Sequence, residues 1–177
     1  MAVMDRHQTG ARSGRGKGGA RPLYTPAERA RRDATVWTLV QGILAPVQFL
    51  AFAVSVVLVL RYLVTDAGYM AATVSIIVKT ALLYTIMITG AIWEKVVFGQ
   101  WLFAPAFFWE DVFSFVVIAL HTLYLWALIT GALPAWDLMM VALAAYAAYV
   151  VNAGQFLWKL RMARLQGERM AREGVPA

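Results

Sequence analysis

The sequence predicts an all-α fold: an integral membrane four-helix bundle with both termini in the cytoplasm. Three observations predict it. Hydrophobic residues make up 61% of the 177-residue chain and charged residues only 15%, far from the soluble average. Four apolar stretches each exceed the roughly 20 residues that cross a hydrocarbon core. Lys and Arg crowd the two ends, with eight before Val36 and five from Lys159 onward.

The first 22 residues are rich in Gly and Arg and poor in apolar side chains. Such a segment cannot bury enough surface to fold, so residues 1–22 read as a disordered basic tail. Order begins near Thr25-Pro26-Ala27-Glu28. Thr25 can cap a helix, Pro26 suits its first turn, and Glu28 stands three residues after the cap. Arg29, Arg31 and Arg32 then lie on the membrane surface, as a topology signal or as a ligand contact.

The spans run from Thr35 to Leu63, Ala71 to Phe98, Phe107 to Thr130 and Trp136 to Leu160. The first is too long for a signal peptide, and no small-residue cleavage site follows it. Pro46 removes a backbone donor inside it and is expected to kink it. Turn residues separate the spans at Thr65-Asp66-Ala67-Gly68 and Thr130-Gly131-Ala132-Leu133-Pro134. Ala144 and Ala148 give the fourth span a small-residue edge for close packing. Residues 23–164 form the transmembrane domain, and 165–177 a basic C-terminal tail.

With both termini inside, only Arg61 is left among the outer basic residues, an asymmetry that obeys the positive-inside rule. The net charge of +6 flanks apolar spans, which favours a membrane surface over nucleic acid as partner. The chain has no cysteine, which excludes disulfides, thiolate metal sites and a cysteine nucleophile.

Acidic side chains near a bilayer are costly and usually functional. Three of them, Glu94, Glu110 and Asp111, lie in the stretch from Ile92 to Asp111 with the aromatics Trp93, Trp101, Phe107, Phe108 and Trp109. At about 1.5 Å of rise per residue, all three fall within two turns of the cytoplasmic end, as does Gln41. Asn152 and Gln155 lie two to three turns from the cytoplasmic end of the fourth span. Gln48 shares a face with Gln41, and His121 and Ser114 share one with Glu110. Every span thus sends a polar group into one cytoplasmic layer, a pocket with Gln48 and His121 toward its floor.

Each feature also has a structural reading. Glu94 and Lys95 can form an interfacial ion pair. Glu110 and Asp111 can complement a helix dipole. His121 can be a core histidine, and Asn152 and Gln155 can be glue between helices. Lys79 can snorkel outward or pair internally. The aromatics can form an interfacial belt.

Three strings carry a resemblance: Arg32 to Pro46 (Arg-Asp-Ala-Thr-Val-Trp-Thr-Leu-Val-Gln-Gly-Ile-Leu-Ala-Pro), Gly90 to Lys95 (Gly-Ala-Ile-Trp-Glu-Lys) and Leu102 to Phe113 (Leu-Phe-Ala-Pro-Ala-Phe-Phe-Trp-Glu-Asp-Val-Phe). With the His-Thr at His121 and the Tyr149 to Phe156 segment, they resemble the bacteriochlorophyllide 3-vinyl hydratases of phototrophic bacteria. The resemblance covers Leu23 to Arg164. It implies addition of water to the 3-vinyl group of a Mg-chlorin, giving a 3-(1-hydroxyethyl) group. It implies the inner (cytoplasmic or intracytoplasmic) membrane of a phototroph, with other bacteriochlorophyll biosynthesis enzymes as possible partners.

That chemistry suits the polar layer. A proton goes to the terminal vinyl carbon and hydroxide to the carbon beside the ring, through a cation-like intermediate. The step needs a general acid that holds its proton in an apolar setting, and a group that deprotonates water. Glu110 is the expected acid, with Glu94 or Asp111 activating the water. Trp93, Phe108 and Trp109 can stack on the chlorin, and Gln41, Gln48, Asn152 and Gln155 can line its site. Lys95, Lys159 or Arg161 can meet its propionate. His121 can be an axial ligand to the substrate's Mg. No cofactor is expected, because hydration moves no electrons and Mg belongs to the substrate. Two other classes compete: a non-catalytic pigment-binding or assembly protein, and a small transporter. A transporter should carry polar residues through the full membrane depth.

Overall fold

In a computed structural model, residues 23–172 are described, and they form five helices. They are α1 (Pro26–Ala34), α2 (Val36–Thr65), α3 (Tyr69–Phe98), α4 (Phe108–Thr130) and α5 (Ala135–Arg172). The last four are long and apolar enough to cross a membrane. The expected tail over residues 1–22 lies outside the described residues. The fourth span runs past Leu160 to Arg172, so helix continues into the expected C-terminal tail. α2 packs along α3 and α4 along α5, and the two hairpins meet through α2 with α5 and α3 with α4.

Local chemistry accounts for the boundaries. Thr25 and Glu28 form the expected capping box: the Thr25 hydroxyl accepts from Glu28 N, and the Glu28 carboxylate accepts from Thr25 N at 2.7 Å. Thr35 closes α1 and caps α2 in extended backbone, so the chain turns a corner between them. Three sites stitch this corner to α2 and α3. Thr38 Oγ1 donates to Arg32 O, Trp93 Nε1 donates to Thr38 Oγ1, and Arg31 Nε donates to Val97 O. Helix α2 continues through Pro46, which leaves the Gly42 carbonyl without its usual main-chain donor. Asp66 and Gly68 take left-handed backbone in the α2–α3 turn, and Gly131 does so after α4.

The four helix ends nearest α1 define one face of the bundle. It carries Arg29, Arg31, Arg32, Lys95 and Lys159, and is called the basic face below. Toward the opposite face lies an apolar core of Val59, Ala72, Ile76, Tyr124, Ala127, Met139, Ala142 and Tyr146. Beneath the basic face, Tyr24, Val97 and Phe107 pack with Trp93, Phe98 and Phe156. Burial raises the Tyr24 phenol above its ordinary range; the Arg32 guanidinium, 4.8 Å over the ring, partly offsets this. Large apolar side chains such as Leu50, Val57, Val64, Ile88 and Ile129 point outward. In a spanning bundle these contact lipid rather than water.

Buried polar groups are not confined to the basic face, against the expectation of a single layer. Ser55 bonds both Ser75 Oγ at 2.7 Å and Tyr146 OH at 2.5 Å in the other half of the bundle. Lys79 does not snorkel outward: it is 0% exposed, with its ammonium 4.1 Å from the Tyr149 ring centroid. Its helix face points inward between α4 and α5, so the stem has no route to the surface.

Candidate functional site

An open groove of about 550 Å³ lies between α4 and α5 at the basic face. Its volume is in the range of about 300–1,000 Å³ typical of small-molecule sites. Glu110, Gly154, Gln155, Trp158, Lys159 and Met162 line it. Gly154, Trp158 and Met162 stand at successive four-residue steps, so they form one stripe along α5. A side chain at Gly154 would meet open space, so this glycine forms a flat floor.

An ion pair in the groove joins two helices. Lys159 Nζ on α5 bonds Glu110 Oε2 in the first turn of α4 at 2.6 Å. The same ammonium donates to Ala106 O and lies 5.1 Å from the Phe107 ring centroid. Glu110 is nearly buried, while Lys159 is about a quarter exposed.

Behind the groove, two acids hold the α3–α4 connection. Asp111 Oδ2 accepts from Phe103 N at 2.6 Å, and Glu94 Oε2 accepts from Ala104 N at 3.2 Å. The two carboxylates thus hold adjacent amides of the same connection. Phe103 has φ 58, left-handed backbone that a non-glycine residue adopts at a cost of roughly 1–2 kcal/mol. The two acids stabilise this backbone, and the same connection presents Ala106 O to Lys159. A chain of contacts therefore runs from Glu94 and Asp111, through residues 103–106, to Lys159 and Glu110. Asp111→Ala is expected to lower stability by about 1–2 kcal/mol through the freed Phe103 N–H. Thermal unfolding in detergent checks this, with Asp111→Asn recovering part of the loss because its amide oxygen still accepts.

Of the residues singled out from sequence, Glu110, Gln155 and Lys159 come together at the groove. Others do not. Lys95 is no partner of Glu94: its ammonium donates to Gly99 O and faces Trp101, because α3 ends there and offers a free carbonyl. Trp93 is held by Thr38 and packs against Phe98 and Phe107 beneath α1. Phe108 and Trp109 turn outward, Trp109 at 65% exposed, because the first turn of α4 buries Glu110 and Asp111 instead. Gln41 Nε2 donates to Thr89 Oγ1 and serves the α2–α3 contact. Asn152 Nδ2 donates to Ser114 Oγ at 2.8 Å and joins α4 to α5. Gln48 is buried inside the bundle.

His121 is 1% exposed, bonded through Nδ1 to Val117 O, with its ring 5.9 Å from that of Tyr146. Eleven residues of helix put it about 16 Å from Glu110 along α4. It shares Glu110's face, as its spacing implies, but it is buried in the bundle and lines no part of the groove. Trp158, Met162 and Gly154 were missed from sequence. Their only signal is a shared stripe one turn beyond Asn152, which resembles ordinary helix packing.

A family model described as 2-vinyl bacteriochlorophyllide hydratase matches residues 24–162. The 2-vinyl bacteriochlorophyllide hydratase of Rhodobacter capsulatus is 77% identical over 144 residues, covering 81% of this chain and 84% of that protein. The protein of the same name from Cereibacter sphaeroides is 76% identical over 148 residues, covering 84% and 92%. No solved structure matches.

Proposed function

This chain belongs to the 2-vinyl bacteriochlorophyllide hydratase family, and from that premise we propose that it adds water to the vinyl group of a bacteriochlorophyllide in bacteriochlorophyll biosynthesis. It is a hydro-lyase working on a membrane-associated Mg-chlorin. The observation that carries the reading at the level of chemistry is the Glu110–Lys159 pair, a proton acceptor beside a proton donor in an open groove.

The roles follow from the contacts. An ion-paired carboxylate accepts protons, so Glu110 suits the water better than the vinyl carbon, a reversal of the role expected from sequence. Lys159 supplies a proton to the terminal vinyl carbon. The carbon beside the ring becomes cation-like, and the Glu110 carboxylate stabilises it. Water bonded to Glu110 attacks that carbon and gives up its proton to Glu110. The existing 2.6 Å contact then returns the proton from Glu110 to Lys159. One water is added in total, and both side chains are restored. Trp158 supplies a face for the macrocycle over the flat floor at Gly154, and Gln155 a polar contact at its edge. Glu94 and Asp111 act as positioning residues through the 103–106 backbone.

The excess of Lys and Arg at the basic face supports a cytoplasmic orientation for it. The membrane is the cytoplasmic or intracytoplasmic one of a phototrophic bacterium, in keeping with the relatives. The test is incubation of purified protein in detergent with a vinyl chlorophyllide. The expected product is heavier by one water, and Gly154→Leu, which fills the floor, is expected to reduce substrate affinity at least ~10-fold, roughly 1.4 kcal/mol. Unchanged substrate mass with folded protein would refute the reading.

A further inference from the structure

The mechanism leaves unused a set of polar groups buried in the middle of the bundle. Lys79 lies ten residues from the start of α3, about 15 Å along a helix of about 45 Å. Its ammonium is buried and flanks Tyr146, 5.6 Å from the ring centroid, as well as Tyr149. The His121 ring flanks Tyr146 too. One turn from Phe52, whose ring packs on Tyr146 and Tyr149, stands Gln48. Lys79 Nζ, His121 Nε2, both Gln48 amide atoms and Asn152 Oδ1 are buried with no protein hydrogen-bond partner. An ammonium in such a place costs several kcal/mol unless solvated, on the order of magnitude for buried ions.

The donors and acceptors in this set are complementary. The Val117 carbonyl can only accept, so the proton of a neutral His121 sits on Nδ1 and Nε2 offers a lone pair. Lys79 offers three N–H donors and no acceptor. Gln48 offers both kinds, and Asn152 Oδ1 accepts. A bare anion would satisfy Lys79 but would face the lone pairs of His121 and Asn152. Water satisfies all of them, because it accepts from the ammonium and donates to imidazole and amide oxygen. We propose that Lys79, His121, Gln48 and Asn152 enclose an internal water-binding site at mid-bilayer depth.

The site points toward the groove. Tyr149, Asn152, Gln155 and Lys159 follow one another by successive turns on α5, and on α4 His121, Ser114 and Glu110 share one face, two turns and then one turn apart. Asn152 bridges the two rows through Ser114, and Gln155 Oε1 is a further buried atom without a protein partner. The polar file therefore ends at Glu110 and Lys159. Only the site's role, a store of water beside the groove, rests on the hydration reading; its existence does not.

Two measurements without substrate test it. The chain has no cysteine, so Gln48→Cys in lipid vesicles reports one position. A small cationic thiosulfonate is expected to modify it at least ~10-fold faster than Val59→Cys, which lies in the apolar core. In the unaltered protein, solid-state NMR magnetisation transfer from water is expected to reach Lys79 Nζ and His121 Nε2. This second measurement decides the matter if the cysteine variants do not fold or disagree with it. Absence of transfer to both nitrogens overturns the site, whatever the hydration assay gives; a failed hydration assay leaves it standing.

Discussion

Glu110→Gln is expected to reduce turnover by ~10²–10⁴-fold, the usual worth of a positioned acid or base. The amide keeps the side chain's shape and can still accept a bond from Lys159, so pigment binding should persist. It cannot take a proton from water. Single-turnover hydration, measured beside pigment affinity by absorbance, separates the two effects. A loss of affinity with turnover intact would instead make Glu110 a binding group, and unchanged values for both would remove it from the site.

Lys159→Met is expected to be nearly as damaging, for a different reason. The thioether keeps the apolar stem over Phe107 but removes the donor to Ala106 O and Glu110. It also leaves Glu110 almost buried without its cation, which costs a few kcal/mol, roughly 3–5 when such a pair is well buried and less here because Lys159 is partly exposed. Lys159→Arg discriminates. Arginine keeps the positive charge and both bonds, but it does not give up a proton in proteins. Full activity in Lys159→Arg would assign the cation an electrostatic role; low activity with restored thermal stability supports proton donation. The double variant Glu110→Gln with Lys159→Met should be little worse than either single one, as for groups that act as a unit.

Much of the fold was legible because the forces that shape it are written locally. Four apolar runs and the Thr25–Glu28 cap announce themselves in consecutive residues, and the helices appear there with their ends shifted by at most two positions, except that α5 runs on from Leu160 to Arg172. The polar layer was only partly legible. Depth along a helix follows from counting, and it correctly put Glu94, Glu110 and Asp111 near one face. Which neighbour a side chain meets does not follow from counting. Asp111 turned to the Phe103 amide because that residue takes a left-handed backbone, which the string Leu-Phe-Ala-Pro does not reveal. For Lys79 the sequence leaves snorkelling and internal pairing both open, whereas its helix face, set by how α3 packs, decides its surroundings. Buried polar groups do run across most of the bundle's depth, so the depth expected of a transporter does not separate that class from a hydratase. The case against a transporter now rests on the family and the groove.

Helix α5 has 38 residues and is about 57 Å long, well beyond a hydrocarbon core of about 30 Å. Gly154 to Met162 lie where it emerges, so the groove straddles the boundary between acyl chains and headgroups. A greasy, flat chlorin with a charged propionate partitions to that same boundary. With the groove as the proposed substrate site, capture would be a lateral encounter in two dimensions, and the product would leave along the leaflet without dissolving in water. Turnover in vesicles should then depend on pigment per lipid rather than on pigment per volume, and diluting the suspension at a fixed lipid-to-pigment ratio should leave the rate per enzyme unchanged.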